Sequence, residues 1–354
     1  MHLEVEVVMN MDGLKLNPVQ KAAFSLIKQD LQYIYTVIKH IKPDESNYIP
    51  SMLPYLGIII DGAEDWVKAI NNSSKCKLQI PLFNKSETIF YEQIRNSIKM
   101  WQQDYNKTYE LLENVYHKSD EYFGSVCKPI AKMLKLYDIY GMDTINGAIC
   151  GNTILCYYYS PFFSYNGNNG EYVKSMSQIG GRYIKLFDAM TDFPIDDELK
   201  FDIQDYGGFI KSPVGNVFGD KFVLMSILCQ INFVLYGIEK WIKNEVPTKL
   251  RFGYLLYYSL INVIGQINKK LDIILKIDQS WKSDIFRNAM AHYKLGIVLK
   301  DKELRMDDIM FGLTEKIFGV DYYIVKTSIY RELKGLARQI GTYLELPQGM
   351  IYLN

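Results

Sequence analysis

The sequence predicts an all-α protein in two parts, a helical domain over residues 1–210 and a helical bundle over residues 211–354 that dimerises. Apolar residues recur at spacings of three and four through long stretches of both parts. Cap residues and helix-opening prolines precede several of those runs. A chain of 354 residues that is 48% hydrophobic can bury a large core, and its length suggests roughly two domains.

Taken in order, Leu3, Val5 and Val7 alternate with Glu4 and Glu6, which reads as a short strand and not as the basic start and apolar run of a signal peptide. Asn17-Pro18-Val19-Gln20 supplies a cap, a proline at the first helical position and a glutamine three residues after the cap. The helix it opens carries Phe24, Ile27, Leu31, Ile34, Ile38 and Ile41 on one stripe and stops at Pro43. A second long helix is expected from about Glu87 through Ile94, Ile98, Trp101, Tyr105 and Leu112 to the neighbourhood of His117, with more helix over Lys128 to Tyr140. From Pro161 to Val217 the pattern weakens into Gly, Asn and Pro punctuation, and the domain boundary is placed near its end.

In the C-terminal part, Asp220 can cap a helix running to about Lys243, and Pro247-Thr248 opens another running to about Ile277. Ser283 can cap a third and Asp321 a last one, whose stripe runs from Val325 to Leu344 until Pro347. Phe222 to Ile238 and Phe252 to Asn268 hold no formal charge, so each must be buried nearly all round. A second subunit is the natural cover, hence the expected homodimer. A membrane hairpin is the alternative, but Gln230, Asn232, Asn262 and Gln266 suit a protein core in which they find partners.

Five cysteines at irregular spacing, with no Cys-x-x-Cys pair, suggest neither disulfides nor zinc, which fits a reducing cytoplasm. Formal net charge is zero, yet residues 1–210 hold 20 basic and 26 acidic groups against 20 and 14 in residues 211–354, a split of −6 and +6. A basic C-terminal part is compatible with an anionic partner.

Chemistry is sought on the third C-terminal helix. Asp284, Asn288 and His292 recur every four residues and so share one face, with Arg287 flanking it. An arginine to hold phosphate and a histidine to exchange protons near neutrality are what metal-free phosphodiester cleavage requires. Arg287-Asn288-Ala289-Met290-Ala291-His292 resembles the Arg-x4-His signature of the HEPN superfamily, and the helices before and after it fit the same plan over about residues 218–345.

That resemblance implies a helical bundle that pairs so that two copies of the motif face one cleft, and a metal-independent endoribonuclease in which the ribose 2′-hydroxyl attacks the adjacent phosphate. Arg287 would then bind the scissile phosphate, His292 would act in proton transfer, and Asn288 would position substrate or motif. Asp284, Tyr293 and Lys294 are expected to bind RNA or support the site, with no metal and no cofactor. RNA is the implied partner, no membrane partner is expected, and a cytoplasmic toxin or phage-defence effector is the implied setting. A non-catalytic RNA- or nucleotide-binding scaffold and a membrane-active effector are the competing expectations.

Elsewhere, the acidic stretch Asp192, Asp196, Asp197, Glu198, Asp202 and Asp205 lacks regular metal-ligand spacing and reads as a solvated loop. Arg95-Asn96 repeats half of the motif, but Met100, Trp101 and Gln102 stand where a histidine is needed, so it reads as a lapsed copy or a coincidence.

Overall fold

Asn17 caps the first helix as its sequence predicts: its side chain accepts the Gln20 N–H at 2.8 Å and the Gln20 side chain accepts the Asn17 N–H at 2.9 Å. In the computed structural model the described residues are 15–41, 48–72, 84–126, 130, 133–134, 138–160, 169–207, 211–215 and 217–351. The strand expected at Leu3 to Val7 and the stop at Pro43 lie outside them.

The first part contains α1 (Pro18–His40), α2 (Tyr48–Asn71), the short α3 (Lys85–Ser97) and α4 (Tyr105–Val126). The single helix expected from Glu87 to His117 is therefore broken. A one-turn 3-10 segment, Met100–Gln102, buries Met100 and Trp101 and turns the chain between α3 and α4.

Two further expectations are corrected. Helix was expected to reach Tyr140, but Asp138–Ile145 is strand β1, which pairs antiparallel with β2 (Ala148–Asn152) through Asn146 and Gly147. Both turn residues have positive φ, 50° and 82°, the geometry that a two-residue hairpin needs and that Asn-Gly adopts readily. The stretch from Pro161 to Val217 was expected to be irregular, yet it contains α6 (Asn169–Leu186), after the short α5 (Thr153–Tyr159), and strand β3 (Phe201–Gly207) on the other side of β1. The protein is thus mostly helical, in rough accord with the expected all-α class, with one small three-stranded sheet among the helices.

The C-terminal part follows its caps closely. α7 (Asp220–Asn232) runs on as a π-helix over Phe233–Lys240. α8 (Pro247–Leu271) ends where Asp272 turns left-handed, short of the expected Ile277. Ser283 caps α9 (Asp284–His292), α10 spans Leu313–Phe318, and Asp321 caps α11 (Tyr322–Tyr343).

The two uncharged helices find their cover inside one chain. Of the most apolar window in Asp220–Lys240, 89% is buried by the fold itself. The amides of these two helices, Asn232 buried, Gln230 and Gln266 half-buried and Asn262 exposed, have partners as well. Gln230 accepts the Trp101 indole N–H, Asn232 donates to the Ile149 carbonyl, Gln266 accepts the Tyr105 N–H, and Asn262 accepts from Lys282. The reason for invoking a second subunit is met by the first part of the chain, whose Tyr33 and Tyr55 pack on Phe252 and whose Tyr48 packs on Phe233.

The two parts also share a plan. In each, two long helices are followed by a short one carrying Arg-Asn, and a later helix packs on the long pair: α6 on α1 and α2, α11 on α7 and α8. The parts then cross over. α9 packs against α2, and the turn Met100–Gln102 after α3 packs against α8.

Candidate active site

That crossing brings the two Arg-Asn segments to one place. Arg95, Lys99 and Gln102 from the α3 side, Arg287 and His292 from α9, and Asp61 from α2 line a single small cleft of about 30 Å³. It has room for a water molecule or two or one small anion, not for a nucleotide.

Helix α2 is shaped to let both arms approach. A Cβ on Gly57 would lie 2.4 Å from the Arg95 backbone nitrogen, and one on Gly62 would lie 2.4 Å from the Tyr293 ring. Asp61 stands between these two bare points and meets both arms. Its Oδ1 accepts from Arg95 Nη1 at 2.6 Å, and its Oδ2 lies 3.5 Å from His292 Nδ1, at the outer limit of hydrogen-bond reach. Burial pushes the Asp61 carboxyl up, but His292 and Arg95 outweigh it and hold the group below its ordinary value.

Arg287 reaches across to the other part, donating to Gln102 Oε1 at 3.1 Å and to its neighbour Asn288 Oδ1 at 2.8 Å. Gln102 in turn donates to Ser259 Oγ at 3.1 Å, which ties the turn to α8. Burial, and then the like charges of Arg95 and Arg287, hold the Lys99 ammonium below the usual lysine value. Three cations therefore face one carboxylate. Arg95 Nε and Arg287 Nε are each buried without a hydrogen-bond partner among the described residues, and His292 Nδ1 has only the distant Asp61 carboxylate; a buried donor left unpaired costs roughly 1–3 kcal/mol.

The expected site residues separate under this geometry. Arg287 and His292 meet in the cleft, and the third lining residue of α9 is Ala291, not the Asp284 and Asn288 that share a stripe with His292. Asn288 is exposed and steadies Arg287, while Asp284 accepts from the Tyr258 hydroxyl at 2.5 Å. Lys294 is exposed, with its amine 3.5 Å from Asp65. Tyr293 is not at the surface. Its hydroxyl donates to Asp30 at 2.5 Å and accepts from Arg251 at 2.8 Å, and Arg251 also donates to the Met290 carbonyl at 2.8 Å. Asp30 and Arg251, fully buried and paired with each other, thus clamp the residue after His292 and the one two before it.

Asp61, Arg95, Lys99 and Gln102 were not predicted as site residues. For Arg95 the signal was the repeated Arg-Asn; for Asp61 there was none, because its partners are remote in sequence. Asp61, Asp65 and His292 also bring three potential ligand atoms within 4.8 Å of one another, a grouping their sequence spacing hid. The Asp61 carboxylate there is paired with Arg95, and Lys294 lies beside Asp65, so cations of the protein already compete for both oxygens.

Comparison with known protein families, with curated proteins and with solved structures finds no match to this chain.

Proposed function

We propose that this protein is a metal-independent endoribonuclease whose active site, of the HEPN kind, is assembled within one chain from Arg95, Lys99, Arg287 and His292. The observation that carries it is the convergence of Arg95, Lys99 and Arg287, with His292 beside them, on a cleft whose lining holds a single carboxylate, Asp61. Such a site favours a compact anion, and a phosphodiester is the anion on which a neighbouring histidine has work to do.

In this reading the two arginines hold the scissile phosphate and offset the charge that builds on its oxygens as the ribose 2′-oxygen bonds to phosphorus. The 2′-hydroxyl proton passes to water, the bond from phosphorus to the 5′-oxygen breaks, and His292 in its protonated form supplies the proton that the leaving oxygen takes up. Asp61 orients His292 and Arg95 together. A toxin or defence setting in the cytoplasm follows from the resemblance of the motif, and the burial of Cys150, Cys156 and Cys229 as free thiols accords with it.

The test is cleavage of mixed RNA by the full-length protein with and without EDTA, beside Arg287→Ala and His292→Ala. Cleavage should survive the chelator and fall by about a hundredfold or more in each variant, the scale of a lost proton-transfer group, with the thermal midpoint nearly unchanged. Parental cleavage in both variants sinks the assignment. Loss under EDTA with recovery on adding manganese would instead make Asp61, Asp65 and His292 metal ligands. RNA that is bound but never cut would make the protein a scaffold.

A further inference from the structure

The last residue of α9 meets one face of α2. Asp61 and Asp65 stand one turn apart on that helix and share the side that His292 approaches. One potential ligand atom from each of the three lies within 4.8 Å of the other two.

The closest pair decides what the grouping suits. His292 Nδ1 and Asp61 Oδ2 are 3.5 Å apart, too far for a strong hydrogen bond. A tetrahedral zinc ion with bonds of about 2.0–2.1 Å sets its ligand atoms roughly 3.4 Å from one another, so the same separation matches two atoms that share an ion. Asp61 can offer Oδ2 while Arg95 Nη1 keeps Oδ1 at 2.6 Å, and a donor on the far oxygen orients a carboxylate ligand. Asp65 completes the set. Its side chain is 39% exposed and its companion is the exposed Lys294 amine at 3.5 Å, a surface pair that holds the carboxylate loosely.

An ion can reach these groups from solvent. Asp65 and His292, whose side chain is 29% exposed, both line a cavity of about 420 Å³ between the start of α1 and the end of α2. That cavity leaves room for water as a fourth ligand. One imidazole nitrogen and two carboxylate oxygens with a water beside them form a donor set for zinc, whereas magnesium takes oxygen ligands and demands octahedral geometry.

We propose that Asp61, Asp65 and His292 bind a zinc ion, and that this ion inhibits cleavage. An imidazole with Nδ1 on zinc does not become the imidazolium that gives up a proton near neutrality, so the leaving oxygen loses its proton donor. The inhibition rests on the nuclease reading above; the binding of zinc is a property of the three ligands alone. The site then needs no metal to work and is stopped by one.

The test titrates zinc into the full-length protein by calorimetry, beside Asp65→Asn, His292→Ala and Lys294→Ala, and repeats RNA cleavage with zinc and with EDTA. One zinc ion should bind per chain, and magnesium should not displace it. Asp65→Asn and His292→Ala should each weaken binding by about a hundredfold or more, since even the loss of an outer-shell partner costs roughly ten- to a hundredfold. Lys294→Ala removes the amine beside Asp65 and should bind zinc at least as tightly as the parent. Asp65 takes no part in the proposed chemistry, so Asp65→Asn should cleave like the parent in EDTA and stay active at zinc concentrations that stop the parent. Zinc that does not bind the parent, or that binds Asp65→Asn and His292→Ala as it binds the parent, overturns the site. Parental cleavage that zinc leaves unchanged or raises overturns the inhibition and spares the nuclease. Zinc held by the three ligands of a protein that leaves RNA intact in EDTA upholds the site and sinks the nuclease.

Discussion

The trio α1, α2, α3 and the trio α7, α8, α9 follow one order of long, long and short helix, and each places Arg-Asn on the short one. They differ in what comes next. After Arg287 the helix continues to His292, half-exposed at the cleft; after Arg95 it stops at Ser97 and the chain turns, burying Met100 completely and presenting Gln102 to Arg287. One trio carries a group that can exchange a proton and the other carries only charge and a hydrogen-bond brace. In the proposed nuclease, phosphate would be held from both trios and the proton carried from one, so the two need not be equal.

The largest effect expected concerns the tie between the trios. Arg251→Ala strands Asp30 in the core and frees the clamp on Tyr293, which should cost about 3–5 kcal/mol in chemical denaturation, the usual scale for breaking a buried ion pair. A loss below about 1 kcal/mol would mean that the trios hold together without it.

Next comes the unequal partner itself. Arg95→Ala should lower RNA cleavage by about tenfold or more if Arg95 binds the phosphate, since a charged hydrogen bond contributes roughly 1.5–3 kcal/mol. Cleavage at the parental rate would return Arg95-Asn96 to coincidence. Met100→His writes the full Arg-x4-His spacing into the first trio. Because Met100 is fully buried, the imidazole should have no partner there, lower stability by about 1–3 kcal/mol and leave cleavage no faster. Faster cleavage would show that the first trio can seat a second proton carrier at the cleft.

The smallest effect is in acid. The Asp61 carboxyl titrates lower in the folded chain than in the unfolded one, so its contribution to stability is full above the unfolded value of about 4 and disappears as pH falls through the folded value. The stability gap between parent and Asp61→Asn should accordingly be constant from pH 7 to about pH 5 and close below about pH 4. A gap that is unchanged at the acid end would show that the pairing with Arg95 and His292 contributes nothing to the fold.

Local signals were the legible ones. Asn17, Ser283 and Asp321 each announce a helix start because a cap acts within three residues of itself. Asn146-Gly147 was equally local and marks the hairpin, but the flanking strands are short and the helix-like run before them obscured it. What spacing could not show was anything made by the crossing of the trios: Asp61 between Arg95 and His292, Gln102 under Arg287, or Tyr293 turned inward onto Asp30. The stripe of Asp284, Asn288 and His292 was correct as periodicity and misleading as chemistry, because the face a helix offers to its site is decided by which neighbour it packs against. Here that neighbour is α2, reached through Gly57 and Gly62.

Carrying Arg95 and Arg287 on one continuous chain also sets how the proposed activity would respond to dilution. Each arginine sees the other at a local concentration set by the fold, not by the number of molecules in the tube. Turnover per molecule should then stay level as the protein is diluted toward the few copies a cell would hold, whereas a site shared between subunits would fade as its halves parted. A nuclease of the proposed kind would have no threshold of abundance to cross.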